Sequence, residues 1–325
     1  MPDTGPDDDD PMTPVVREYQ QFARWEARGR SPAYESLAEA VAGDAGLVEF
    51  IASLPPAKQQ PQLVFAAARY LLGGPLDVGQ LRALTGRSAA DLTRVIMARR
   101  TQTNEPARCA VLLPALAQLP QPLALIEVGA SAGLTLLFDR YSYDYAGHFL
   151  AGADPDGPTM RCEPRGPVPL PARLPQIAWR TGLDLNPLDV TNDDDVRWLT
   201  CLVWPGESDR AQRLAAAIAA ARRDPPTLHR GDLRTDLPGL VSQAPPGAHV
   251  VIYHSSVLYQ VPAQQREQFA ACVRALNASW LSSEAPGVLP GTSRASSDEL
   301  ECVLTRDGET IGFADSHGTW VRWPA

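Results

Sequence analysis

From residue 123 onward, short apolar runs alternate with stretches of helical periodicity, the pattern of a parallel sheet covered by helices on both faces. Residues 123–128, 177–184, 227–231 and 248–254 read as strands, and 280–283 as a fifth. Helices are predicted over 131–140, 195–203, 208–222 and 263–276. Two further β runs, 300–305 and 310–314, flank Asp307-Gly308, a hairpin turn signal. Upstream, residues 15–54 and 61–72 repeat apolar side chains at helical spacing, as in Tyr34, Leu37 and Val41, then Leu63, Phe65 and Ala68. Gly73, Gly74 and Pro75 interrupt that pattern before Leu81, Leu84, Leu92, Val95 and Ile96 resume it. The expected architecture is α/β, with a helical lobe over 14–106 and a doubly wound, mostly parallel, seven-stranded sheet over 107–325. The Pro-, Gly- and Asp-rich stretch 141–174 reads as an insertion at the rim of the pocket.

Composition narrows the function. The 325 residues, 44% of them hydrophobic, suffice for a full core, and no apolar run approaches the roughly 18 residues of a membrane span. Residues 1–13 are acidic and nearly devoid of apolar side chains, so a disordered tail is expected there, and a soluble, cytoplasmic protein with it. The net charge of −9 and the scatter of the arginines argue against nucleic acid, which requires clustered cations. Five cysteines stand singly, without metal-ligand spacing, so neither disulfides nor a bound metal are expected.

In an open parallel sheet, ligands bind beyond the carboxyl ends of the strands, where strand order reverses. Four strand ends here carry polar or small residues: the turn Glu127 to Gly133, Asp184, Arg230-Gly231-Asp232, and His254-Ser255-Ser256 with Tyr259. Small residues at the first turn let a ligand approach the backbone, and the start of a following helix would offer N–H groups to an anion. His254 is a candidate general base, although a histidine ending a buried strand is more often structural. Glu284 and His317 are further candidates to face the pocket. The run from Arg99 to Glu105, with Arg100, Thr103 and Asn104, is either a solvated connection or a loop over the pocket. Arg99, Arg100 and Arg230 could hold a sulfate, phosphate or carboxylate, or could simply pair with Glu105, Asp139 or Asp232.

The ordered strand ends resemble those of S-adenosylmethionine-dependent methyltransferases of the Rossmann type. The resemblance implies that Glu127, Gly129, Ser131, Gly133, Asp184 and Asp232 surround the cofactor, with Asp184 on the ribose and Asp232 by the adenine. The terminal hairpin would supply the antiparallel seventh strand. Ser131 replaces the usual middle glycine, about 57 residues separate Glu127 from Asp184 where a bare βαβ unit needs roughly 20, and the fourth strand lacks an Asn/Asp-Pro-Pro-Tyr motif. The phrases Arg-Thr-Gln-Thr-Asn-Glu, Ile-Glu-Val-Gly-Ala-Ser-Ala-Gly-Leu and Gly-Leu-Asp-Leu-Asn-Pro-Leu-Asp-Val look like an uncharacterised bacterial family, a domain of unknown function (DUF2332-like), from about residue 19 to the end. Three functions follow. The first is methyl transfer from S-adenosylmethionine to a small metabolite. The second uses no cofactor: an elimination or internal cyclisation expelling an anion such as sulfate or phosphate, with His254, Arg99, Arg100 and Glu105 catalytic. The third is a noncatalytic subunit, a protein partner or carrier-bound substrate being left open. Under the first two, Thr103, Asn104, Arg230, Ser255, Tyr259, Glu284 and His317 would contact substrate.

Overall fold

Helix starts in the amino-terminal part are set by local capping. The Ser31 hydroxyl accepts the Tyr34 N–H at 3.4 Å ahead of Pro32, and Asp44 accepts the Leu47 N–H at 3.0 Å. Asp77 and Gln80 form a reciprocal capping box. The computed structural model describes residues 12–102, 104–293 and 301–324. The expected tail lies almost wholly outside them. The chain divides into two compact units, one of residues 1–103 and 193–212, the other of 104–192 and 213–325.

The first unit is helical: α1 (Met12–Gln21), α2 (Pro32–Ala42), α3 (Ala45–Ala52), α4 (Pro61–Leu72), α5 (Val78–Arg87) and α6 (Ala89–Ala98). A π-helical turn, Phe22–Ala27, extends α1. Its core is aromatic, with Phe65 edge-on to both Tyr19 and Phe22, and Trp204 5.2 Å from Phe22 between ring centres. The helix Asp193–Leu202, read from the sequence among the elements of the sheet domain, packs on α4 in this unit. Trp198 ties it down, its indole N–H donating to the Arg100 carbonyl at 3.0 Å.

The second unit carries α7 (Arg108–Leu116) and, in chain order, β1 (Leu123–Val128), β2 (Ser142–Tyr145), β3 (His148–Leu150), β4 (Thr159–Arg161), β5 (Glu163–Arg165), β6 (Ile177–Asp184), β7 (Thr227–Arg230), β8 (His249–Ser255), β9 (Ser279–Glu284), β10 (Glu301–Arg306), β11 (Glu309–Asp315) and β12 (Trp320–Arg322). The main sheet runs β5-β12-β11-β10-β9-β8-β1-β6-β7. It therefore has nine strands, not seven, because β5 from the insertion pairs with the terminal β12. The segment β7-β6-β1-β8-β9 is parallel throughout, and the hairpin β10–β11 adds antiparallel strands beside β9. The insertion is ordered locally as a second sheet, β3-β2-β4. Every residue of β1 is buried, as a strand covered on both faces requires. One face rests on Ile126, Val128, Ile252, Phe269 and Trp280. The chain leaves β1 toward β6 and β7 on one side and then builds β8 and β9 on the other, so strand order reverses between β1 and β8.

The helix predicted over 131–140 is absent; only the 3-10 turn Leu134–Leu136 remains. Gly129, Ser131 and Gly133 all adopt positive φ (71°, 50° and 70°), which alternates the backbone out of the helical region. The carbonyls that a helix would have satisfied internally are met by side chains instead. Tyr141 donates its hydroxyl to Leu134 O at 2.7 Å, Tyr253 to Thr135 O at 3.1 Å, Tyr143 to Phe138 O at 2.8 Å, and Arg180 its Nη1 to Leu136 O at 3.0 Å. Burial pushes these three phenols well above their ordinary range, so they remain donors. Hydropathy periodicity cannot reveal this substitution, because the same apolar positions are buried either way. Removing one of these caps with Tyr141→Phe should cost about 1–3 kcal/mol of unfolding free energy in urea, since a buried carbonyl loses its partner. An unchanged midpoint would show that the caps are incidental.

Candidate functional site

The turn after β1 sits at the carboxyl edge of the sheet, at the reversal of strand order, where a ligand is expected in this class of sheet. Two side chains fix its shape. Asp184, at the end of β6, accepts the Ser131 N–H at 2.8 Å on one oxygen and the Asn186 N–H at 2.7 Å on the other. Asn104 bridges the turn with its amide, donating to Ala130 O at 3.1 Å and accepting from Leu134 N at 2.9 Å. The turn is also pressed against its surroundings. A Cβ on Gly129 would lie 2.4 Å from Val257 Cγ2, and one on Gly133 would lie 2.7 Å from Pro226 Cγ, so only glycine fits either place.

Below the turn, Glu127 is 3% exposed, and one of its carboxylate oxygens accepts the Thr135 hydroxyl. Its Oε2 is buried with no hydrogen-bond partner. Burial raises its pKa to about 8, assisted by the nearby Asp184 charge and opposed by Arg108. Arg108 is itself buried, donating Nε to Ser316 O at 2.9 Å and Nη1 to Ser255 O at 3.0 Å. Sequence reasoning missed Arg108, whose only signal was a charge on an otherwise apolar helix.

His254 and Glu284 form a second buried cluster. His254 Nδ1 lies 2.7 Å from Glu284 Oε1, and the Trp280 indole donates to His254 Nε2 at 3.0 Å. An indole N–H can only donate, so Nε2 is the acceptor and Nδ1 carries the proton to Glu284. Of the two roles weighed for His254, base or structural residue, its two engaged nitrogens and fully buried ring match the structural one. The same Glu284 oxygen accepts the Val257 and Leu258 N–H groups at 2.9 and 3.2 Å.

Other expected site residues are engaged elsewhere. Arg99 lies in the helical unit and pairs with Asp194 and, at 2.6 Å, with Asp195; these acids follow Asn192 and were not among its foreseen partners. Arg100 belongs to the same unit and is exposed. Glu105 is 1% exposed, accepting Arg213 Nε at 2.7 Å and Ala107 N at 3.1 Å, a structural arrangement rather than an open catalytic one. Arg230 donates to Leu185 O at 3.0 Å and to Asn186, bracing the loop after β6. Asp232 is gripped by Arg234, whose guanidinium holds its carboxyl below the usual range. Ser255 is buried, Tyr259 is exposed, and His317 donates its backbone N–H to Asp315 at 3.0 Å. Thr103 lies outside the described residues. All five cysteines are free, and among the described residues no group of three or more His, Cys, Asp or Glu side chains is placed to hold a metal. No helix among them is long and apolar enough to cross a membrane.

Compared with known families, residues 16–75 and 77–323 match the model of an uncharacterized protein family conserved in bacteria (DUF2332). The chain belongs to this family. No curated protein and no solved structure matches the chain significantly. The family's description assigns no activity, so function must be argued from the site.

Two contacts restrict the space at the turn. Val257 packs on the side of Gly129 where a Cβ would lie, and each oxygen of Asp184, the acid the resemblance assigns to the ribose, accepts one backbone N–H group. The titrating group makes a separate prediction. The folded pKa of Glu127 exceeds the ordinary 4.5, so its favourable contribution is complete below about pH 4.5 and is lost as pH rises toward about 8. Glu127→Gln should therefore gain on the parent progressively between pH 5 and pH 8, by on the order of a few kcal/mol, in urea unfolding. Parallel pH profiles for the two proteins would show that Glu127 ionises normally.

Proposed function

We propose that this chain is an enzyme acting on a small molecule at the carboxyl edge of its sheet, without an adenosyl cofactor, with Glu127 as its acid–base group. The observation that carries the reading is Glu127 itself: a fully buried carboxyl at the switch point, with one oxygen unpartnered and a pKa of about 8. A group titrating near the operating pH is the form a general acid or base requires. The reaction class it suits is an elimination or an internal ring closure. Ionised Glu127 would take a proton from a substrate C–H or N–H. The electron pair left behind would form the new double bond or ring bond, and a group such as sulfate or phosphate would leave with its bonding pair as an anion. Arg108, whose charge acts on Glu127, is the buried cation available to that anion.

A second reading, methyl transfer from S-adenosylmethionine, is favoured by the parallel order β7-β6-β1-β8-β9 and by acids retained at the ends of β1 and β6 and after β7. It requires the Gly129 turn to open.

Thermal unfolding with S-adenosylmethionine, S-adenosylhomocysteine, sulfate and phosphate separates the two. A ligand at 100 times its dissociation constant stabilises the native state by about 2.7 kcal/mol. No shift with either adenosyl ligand, together with a shift from sulfate or phosphate, is the expected outcome. An adenosyl shift that disappears in Asp184→Ala would replace the first reading with methyl transfer.

A further inference from the structure

We infer that residues 256–258 form a strap across the Gly129 turn, and that Glu284 is the positioning residue that latches it. The strap begins with Ser256, a non-glycine residue at φ 53°, a conformation that persists only where surrounding contacts enforce it. Its next residue, Val257, lies directly on Gly129: the 2.4 Å to an added Cβ leaves no room between them for a ligand group. Ser256 N–H is tied to Ser283 O at 2.9 Å, and beyond it the Val257 and Leu258 N–H groups are held by one carboxylate oxygen. Glu284 Oε1 takes the N–H groups of Val257 and Leu258 and the Nδ1 proton of His254, while Trp280 fixes the far side of the imidazole. Three donors on one oxygen orient the carboxylate strongly, and its Oε2 stays buried without a partner. A glutamate retained at that desolvation cost for two strap amides and one imidazole is placed to set the strap's position rather than to react.

The latch sits at the end of β9 and the turn at the end of β1, with β8 between them. Release at Glu284 therefore uncovers the crevice between β1 and β8 without disturbing Asp184 or Asn104, which hold the turn from the β6 side and from residue 104. A ligand that approaches Gly129 from the side where a Cβ would lie, whether substrate or cofactor, has to displace Val257. The inference goes beyond the proposed reaction and its test uses no ligand, so the two can fail separately.

The test is thiol labelling of V257C with N-ethylmaleimide, followed by mass spectrometry, in the parent background and with E284A or E284Q added. Native Cys109, fully buried in the same unit, reports unfolding in every sample. The V257C thiol should label slowly in the parent background. It should label at least about tenfold faster with E284A while Cys109 stays protected, as local opening requires. E284Q, which keeps an oxygen able to accept the same donors, should stay within about threefold of the parent. Should E284A not fold, E284D replaces it, keeping the charge but withdrawing the oxygen by one methylene, with the same acceleration expected. Equal labelling of V257C in all backgrounds would overturn the latch. So would Cys109 and the V257C thiol accelerating together with both E284A and E284D.

Discussion

The carboxylate of Asp184 holds two backbone N–H groups, Ser131 from the first turn and Asn186 from its own loop, and much of the carboxyl edge is arranged around that pair of bonds. It draws the turn after β1 against the end of β6, where Gly129 N and Ala130 N both reach Leu183 O. Once the backbone passes through three positive-φ residues it cannot continue as a helix. The carbonyls beyond then need partners, which Tyr141, Tyr143, Arg180 and Tyr253 supply. Charged acceptors are strong partners for backbone N–H groups because the ionised oxygen concentrates charge at the bond. The same geometry that organises the turn therefore reduces the capacity of Asp184 for a ligand.

The parallel strands were legible in the sequence because each is a short apolar run bounded by Gly, Pro or Asp, and the hairpin because Asp307-Gly308 marks its turn. The helical lobe was legible from periodicity. The missing helix after β1 was not, since its internal hydrogen bonds are replaced by the side chains of Tyr141 and Tyr143 nearby and of Arg180 and Tyr253, distant in sequence. The two added edge strands were equally hidden: β5 and β12 are three residues each, too short to carry a period. At the site, strand-end position brought Glu127, Ser131 and Asp184 to one place. It could not show that Asp184 would be engaged by backbone, that His254 would be enclosed by Trp280 and Glu284, or that Arg99 would pair with Asp194 and Asp195.

Two buried carboxyls, at the ends of β1 and β9, thus have different physical roles. Glu284 accepts three donors on one oxygen and acts on backbone position. Each also has one buried oxygen without a partner, but Glu127 accepts only one hydroxyl and has a raised pKa. The contrast follows from what surrounds each, strap amides and an imidazole for the former, burial and a second carboxylate for the latter.

The dependence of the turn on Asp184 is tested most directly by the unfolding free energy of Asp184→Ala in urea, without any ligand. Because the substitution strips a charged acceptor from two backbone N–H groups, a loss of about 2–3 kcal/mol is predicted. A change within about 0.5 kcal/mol, the range of an ordinary surface substitution, would mean that the carboxylate is not needed to hold the turn and is free for a ligand after all.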